Sequence, residues 1–372
     1  MYHSSKQIIV DLVLGFKKRA VEYNLRRTAI AQIKAIIKNM TVSCPKLSKN
    51  EVNAVKVFFR SKGYKLNNTY WHRYYSVMNG AFHVDYIPED IFRAMIGPRM
   101  NQMRQWPALL DKNLSYILFK EFLQPKRVLQ NINGFYYVDE SIVNEVEAIE
   151  LCHNSKKRLV IKPTIDSGQG KRVETFTVNE NGKSLDKQNI AALFRSYKKD
   201  FIVQEFVDQS LTMKKLNPTT LNTLRIMTYL REDGVHILSA VSRIGKPESK
   251  TDNFTTGGII CGIDENGCLK KIAYSKTGEK FSKTYSGITV EGYKIPNYNL
   301  ALDMVRAMHK RVPYFKIISW DIGINTNDEP LLVEYNTHYQ STKIHQIPNG
   351  PLFGKFTDEI LAKGVEPYQV YL

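Results

Sequence analysis

The residue types best suited to chemistry lie in the C-terminal third. Ile317-Ile-Ser-Trp-Asp-Ile-Gly323 is followed by the polar turn Asn325-Thr-Asn-Asp-Glu-Pro330 and then by Leu331-Leu-Val-Glu-Tyr-Asn336. Two apolar runs around such a turn predict a β-hairpin. Strand period 2 puts Glu334 and Asn336 on one face, and Asp321 on the partner strand reaches that face in the right register. Two carboxylates and an amide oxygen beside bound phosphates form a hard-oxygen site suited to Mg²⁺. A carboxylate inside an apolar strand also needs a partner, which argues against Glu334 as solvated decoration.

Three further segments carry polar groups on strand-like runs. In Val160-Ile-Lys-Pro-Thr-Ile-Asp-Ser-Gly-Gln-Gly-Lys171, a strand ends in Lys162 and a loop with Ser167, Gly168 and Gly170 follows. Glycines let backbone N–H groups approach an anion, and a strand-end lysine adds a point charge. The spacing is neither a Walker A loop nor a dinucleotide fingerprint. A plain hairpin with a glycine turn remains an equal alternative for this segment taken alone. The run Ile202-Val-Gln-Glu-Phe-Val-Asp-Gln209 carries an amide and a carboxylate at the end of an apolar strand, and such a segment could offer backbone groups to a purine edge and a carboxylate to ribose hydroxyls. By itself, that run reads better as a strand leaving a sheet. Arg225 and Arg243 are cations in otherwise apolar runs, so each faces an anion or a partner acid.

The positioning elements fall into three zones. Residues 1–75 read as a basic helical region. Ile8, Leu12, Phe16 and Ala20 recur every four residues, as do Ile30, Ile33 and Ile37 near helical spacing. Ser48-Lys-Asn-Glu51 is a capping box for a helix through Phe59, with Gly63 as its stop. Residues 76–110 read as a mixed segment of short helices and turns. Residues 111–372 are rich in strand signals. Val128–Ile132 and Gly134–Val138 form a hairpin across Asn133-Gly134, and further strands are expected over 158–162, 173–178, 201–206, 223–229, 235–241 and 258–263. Helices are expected over 112–122, 186–196 and 298–311. This mixture predicts an α+β fold rather than a regular doubly wound sheet.

Composition narrows the function classes. The 372-residue chain is 43% hydrophobic and 24% charged, enough for a sizeable core. Its four cysteines include no C-x-x-C pair, which excludes a zinc ribbon and fits a reducing compartment. No apolar run has the length of a membrane span, and the N-terminal run lacks a signal-peptide cleavage site. The net charge of +17 is uneven: residues 1–130 carry 22 Lys and Arg against 8 Asp and Glu, and the remainder is nearly neutral. Such a field attracts polyanions.

Taken in order, these elements resemble the ATP-grasp superfamily, and more closely its sugar-transfer-associated branch, found among capsule and lipopolysaccharide biosynthesis genes. The resemblance runs from about Phe58 to Asn336. It includes Phe58-Phe-Arg-Ser-Lys-Gly-Tyr64, Tyr86-Ile-Pro-Glu89, Leu110-Asp-Lys-Asn113, Leu221-Asn-Thr-Leu-Arg225 and Asp252-Asn-Phe-Thr-Thr-Gly-Gly258. The first fifty residues match no familiar pattern. The resemblance implies two α+β subdomains clasping ATP, a flap subdomain over about 125–205 and a metal-binding subdomain over about 206–345, behind an N-terminal helical extension.

It also implies roles. Lys112 and Lys162 would contact the nucleotide phosphates, and Ser167, Gly168 and Gly170 would form the flap over them. Gln204, Glu205 and Val207 would line the adenine edge, with Asp208 on the ribose. Asp321, Glu334 and Asn336 would hold Mg²⁺, and Arg225 and Arg243 would steady a phosphate or acyl phosphate. Amide ligases of the superfamily often carry an arginine two residues before the first metal aspartate. Ser319 stands there, which gives Arg225 and Arg243 more weight. His338, Lys343 and His345 follow the metal strand closely and could touch the acceptor, although each reads better as a structural residue.

The implied activity is ATP-dependent ligation: a carboxylate is activated as an acyl phosphate and an amine displaces the phosphate, in bacterial surface polysaccharide assembly. The substrate would be a sugar-linked or amino-acid carboxylate. The expected location is cytoplasmic, at the inner face of the membrane if the basic third meets an acidic glycan or lipid-linked carrier. The alternatives are an ATP-dependent kinase of a sugar or small molecule, and a non-enzymatic polyanion-binding protein. Nucleic acid is not expected as a partner, because no recognised binding motif is present.

Overall fold

The computed structural model describes residues 5–155, 157–165, 172–177, 187–249 and 251–367. Ser167, Gly168 and Gly170 lie outside the described residues. Two antiparallel sheets dominate. The smaller has six strands in the order β3-β2-β1-β6-β4-β5: β1 Arg127–Ile132, β2 Phe135–Val138, β3 Ser141–Val143, β4 Arg158–Pro163, β5 Glu174–Thr177 and β6 Phe201–Glu205. The larger has seven in the order β11-β10-β9-β8-β7-β12-β13: β7 Thr223–Arg231, β8 Gly234–Ile244, β9 Ile259–Ile263, β10 Leu269–Tyr274, β11 Lys280–Phe281, β12 Ile317–Ile324 and β13 Pro330–Asn336.

Alternation divides each sheet into an apolar and a polar face. In the smaller sheet, Leu129, Leu159, Ile161, Phe201 and Val203 pack with Ala148, Cys152, Ile190 and Phe194 from the helices Glu145–Asn154 and Lys187–Tyr197. The opposite parity of the same strands carries Val160, Lys162 and Gln204. In the larger sheet, Ile226, Trp320, Ile322 and Tyr335 pack with Phe119 and with Ala301, Val305 and Met308 of the helix Tyr298–His309. Trp320 and Tyr335 are cross-strand partners with rings stacked at 5.3 Å between centroids. The Trp320 indole N–H donates to Thr228 Oγ1 at 2.8 Å, so this core leaves no buried donor of Trp320 unmet.

The Asn133-Gly134 hairpin forms as its sequence requires. Asn133 at φ 51° and Gly134 at φ 95° give the two left-handed positions of a primed turn. Ser48 and Glu51 form the expected capping box, and the helix they open runs Lys49–Ser61. The first helix, Ser5–Lys38, is about 50 Å long at 1.5 Å per residue. Its buried stripe is Ala29, Ile33 and Ile36, one step round from the expected Ile30, Ile33, Ile37 set, and it packs on the helix Tyr70–Asn79 and on residues 89–96. Phe16, expected on an apolar face, is 76% exposed. The helix Glu145–Asn154, opened by an Asn144–Glu147 capping box, was not expected from periodicity.

Candidate functional site

The polar faces of the two sheets meet across a cleft of about 620 Å³. Register places its acid groups. Asp321 of β12 stands directly opposite Glu334 of β13 on one side and Arg225 of β7 on the other. Asn336 lies opposite Ser319, one same-face step along, and Arg243 of β8 lies opposite Thr223. Four adjacent strands thus present Asn336, Glu334, Asp321, Arg225 and Arg243 on one face. Val333 is an extra residue in β13, a bulge beside the acid pair.

Asp321 is buried and receives both guanidinium groups. Arg225 Nε donates to Oδ1 at 2.6 Å, and its Nη2 reaches Oδ2. Arg243 Nη1 donates to Oδ2 at 2.9 Å. Burial alone would raise the Asp321 carboxyl, but Arg225 and Arg243 outweigh it and hold the carboxyl well below the usual range. The Glu334 carboxylate is within hydrogen-bonding reach of Asp321. Two carboxylates this close repel unless positive charge stands with them.

The opposite wall brings lysines. Lys162 is 9% exposed, and burial with the nearby Lys112 ammonium pushes it down to about 8, while Glu334 pulls it up. Lys112 opens the helix Lys112–Leu118, capped by Asp111, whose side chain accepts from Asn113 N at 2.8 Å. The Lys112 backbone N–H donates to Thr164 O at 3.2 Å, which ties this helix to the end of β4. Gln130 Nε2 donates to Asn113 Oδ1 at 2.9 Å, a second tie to the smaller sheet. Lys112, Lys162, Arg225, Arg243, Asp321 and Glu334 all line the one cleft, as do Gln204, Glu205, Val207 and Asn336.

Apolar lining comes from Leu110, Val160, Val173, Phe206 and Val207. The Glu205 side chain turns to Lys126 at 3.3 Å and Lys157 at 2.6 Å, so its carboxylate is committed outside the slot. Asp208 is exposed and is not on the cleft wall. His345 is buried under the site, with Nδ1 at 3.0 Å from Ser239 Oγ. Burial first, then Arg225, pushes it down to about 3, so it is a neutral floor residue. His338 is on the wall with its ring against Trp106.

Two acids of the site stand in motifs named from the sequence, but without a role assigned to them there. Asp252 accepts from Arg243 Nη2 at 2.6 Å and from Thr223 N at 3.1 Å, steadying Arg243 from behind. Glu89 is fully buried and pairs with Arg93 Nη2 at 2.5 Å and Lys343 Nζ at 3.7 Å. Burial would raise Glu89, and the two cations more than offset it. The motif Tyr86-Ile-Pro-Glu89 flagged the segment but not its partner 254 residues away.

Among the described residues no three His, Cys, Asp or Glu side chains cluster as a metal site. The third donor is an amide: Asn336 has a buried terminal Nδ2 without a hydrogen-bond partner. Asp321 is already paired to Arg225 and Arg243, whereas Glu334 has no ion-pair partner among the described residues and no hydrogen bond pins the Asn336 amide nitrogen, so the Glu334 carboxylate and the Asn336 amide oxygen fit a hard cation, with Asp321 behind them.

The sugar-transfer associated ATP-grasp family matches residues 92–360. The chain belongs to this family. The match begins after the Phe58–Tyr64 and Tyr86–Glu89 segments and continues past Asn336 to residue 360. Among solved structures, the ATP-grasp ligase PsnB with its minimal precursor is 13% identical, with TM-score 0.40, covering 71% of this chain and 64% of that one. D-alanine–D-alanine ligase from Bacillus anthracis is 12% identical, with TM-score 0.38, covering 69% of this chain and 66% of that one. The L-amino acid ligase from Bacillus licheniformis is 11% identical, with TM-score 0.37, covering 70% and 48%. This chain thus spans under two-thirds of the PsnB ligase. No curated protein matches. The family carries the ATP-grasp fold, and the two antiparallel sheets facing across a cleft are its two halves here. No helix among the described residues is long and apolar enough to cross a membrane.

Proposed function

We propose that this protein is an ATP-dependent carboxylate–amine ligase. The observation that carries the reading is the convergence of Lys112 and Lys162 from one wall with Arg225, Arg243, Asp321, Glu334 and Asn336 from the other in one cleft. Phosphoryl transfer asks little covalent chemistry of a protein and much positioning and charge neutralisation. Lys112, Lys162, Arg225 and Arg243 supply the positive charge that this task asks for.

The chain's residues divide the work. Lys112 and Lys162 hold triphosphate oxygens. The less polar slot beside Val160 and Phe206 takes the purine, with backbone groups of the Glu205–Val207 exit at its edge. Arg225 and Arg243 are held rigid by Asp321 and Asp252, and they face the place where negative charge develops. Glu334 and Asn336 would hold Mg²⁺, which when bound draws the phosphate oxygens into line and offsets their charge. A carboxylate oxygen of the acid attacks the γ-phosphorus and ADP leaves with the bridging oxygen. The amine then attacks the acyl carbon, loses a proton and expels phosphate. The substrates we infer are a sugar-linked or amino-acid carboxylate and an amine, in surface-polysaccharide assembly on the cytoplasmic side.

The test is ADP and phosphate release screened against uronic acids, amino acids and amino sugars, with mass detection of products. Condensation products whose formation tracks ADP release support ligation. A stable phosphorylated product that amines do not consume replaces this reading with a kinase.

A further inference from the structure

A second cavity, of about 1020 Å³, opens beside the first and shares Arg93, Lys343, Phe254, Thr255 and Tyr339 with it. Its far wall is the helix Ser5–Lys38, which lies wholly outside the family match. Asn24, Thr28, Gln32 and Asn39 recur there at near-helical spacing and offer amides and a hydroxyl to the cavity. The opposite wall supplies Ser275, Thr277 and Tyr285. Its charged groups are Arg93, Lys246, Lys276 and Lys343 against the single acid Glu279.

The junction is a built feature. Lys343 is buried, and Glu89 anchors both it and Arg93 from below, at 3.7 and 2.5 Å. Arg93 Nη1 also donates to Gln32 Oε1 at 2.9 Å, coupling the junction to the first helix. Arg93 Nε is buried without a hydrogen-bond partner. Tyr339 is 61% exposed at the same junction, and its backbone sits at φ 50°, a left-handed conformation costly for an aromatic residue. Tyr339 lines both cavities with its ring beside that of His338, and an exposed aromatic residue there suits a ligand with one flat, C–H-lined face.

The geometry points to this second cavity as the binding site of an anionic, polyhydroxylated substrate, a sugar carrying a carboxylate or phosphate. Its charge lies at Arg93 and Lys343, its ring lies against Tyr339, and its hydroxyls meet Asn24, Thr28 and Gln32. The inference deepens the ligase reading and rests on it for the direction in which the substrate enters. The first helix then sets specificity, and the family core supplies the chemistry.

Saturation-transfer NMR on the full chain, with D-glucuronate, D-glucose 1-phosphate and neutral D-glucose as probes, tests it. The expected result is transfer to at least one anionic sugar and none to glucose. Thr28→Trp and Tyr339→Ala should each weaken that binding at least about tenfold, and Thr28→Trp, which lies outside the first cleft, should leave affinity for a non-hydrolysable ATP analogue unchanged. The two anions distinguish carboxylate from phosphate recognition. Equal binding of glucose, no binding of either anion at millimolar concentration, or unaltered sugar binding in both variants overturns the proposal. Loss of analogue binding by the unmodified protein would instead count against the ligase reading, since the sugar measurement does not need the nucleotide.

Discussion

Lys162 and Asp321 set the charge of the cleft from opposite walls, and each yields a prediction. In the free protein Lys162 is held near 8 by burial and Lys112, so it loses its proton as pH rises through that value. Triphosphate favours the charged form and raises it. Nucleotide affinity should therefore fall about tenfold per pH unit above 8, with net proton uptake seen when titrations are compared across buffers of different ionisation enthalpy. Lys162→Arg should flatten this profile. An unchanged profile would remove Lys162 from the phosphate site.

Asp321 has the opposite sign. Its carboxyl is held below the usual value, so its contribution to stability is complete above the ordinary carboxylate range and is lost as pH falls through the depressed value. Asp321→Asn leaves Arg225 and Arg243 buried with one acid partner fewer. It should cost about 3–5 kcal/mol in urea denaturation at neutral pH, and the cost should shrink in acid. Both residues were legible in the sequence as charges in apolar strands, but the identity of their partners was not. Asp321 pairs with Arg225 across 96 residues, and only the β7–β12 register fixes that.

Among the elements, the hairpins were the most readable because their turns constrain them. Asn133-Gly134 admits one kind of tight turn, and the 317–336 hairpin joins two apolar runs with a polar turn. The helix Lys343–Asn349 was not read, since it is short and contains Pro348, yet it places Lys343 and His345 at the site. The loop holding Asp252 was legible as a motif, but its task was hidden. Gly257 adopts φ 102°, and Gly258 packs so closely that a Cβ would meet Asp252 O at 2.8 Å and Asn253 and Ile244 O at 3.0 Å. All three are backbone atoms, so Gly258→Ala must displace the loop and with it the acid behind Arg243. We expect kcat to fall by more than tenfold, about 1.4 kcal/mol of transition-state stabilisation, with nucleotide affinity little changed. Retention of full kcat would show that Asp252 does not hold Arg243 for catalysis.

For the whole molecule, the basic N-terminal third and the cleft are parts of one body. The first helix packs through Ala29, Ile33 and Ile36 onto the aromatic residues Trp71, Tyr74 and Tyr75, in a cluster that also holds Ile260, Tyr274 and Ile347. Ile33→Ala should lower stability by about 2–5 kcal/mol in one cooperative transition. A separate early transition would mean that the helix folds apart from the rest. The charge asymmetry was evident from composition, whereas the docking of that helix beside the second cavity was not, because exposed amides at helical spacing look like an ordinary solvated face.

The central claim is that a triphosphate is gripped between the lysine wall and the acid–arginine wall. Calorimetric titration with a non-hydrolysable ATP analogue addresses it most directly. The account predicts binding that requires Mg²⁺, weakens at least about a hundredfold in Lys162→Ala, and loses its Mg²⁺ requirement in Glu334→Gln. Absent binding, or binding indifferent to both substitutions, would contradict it.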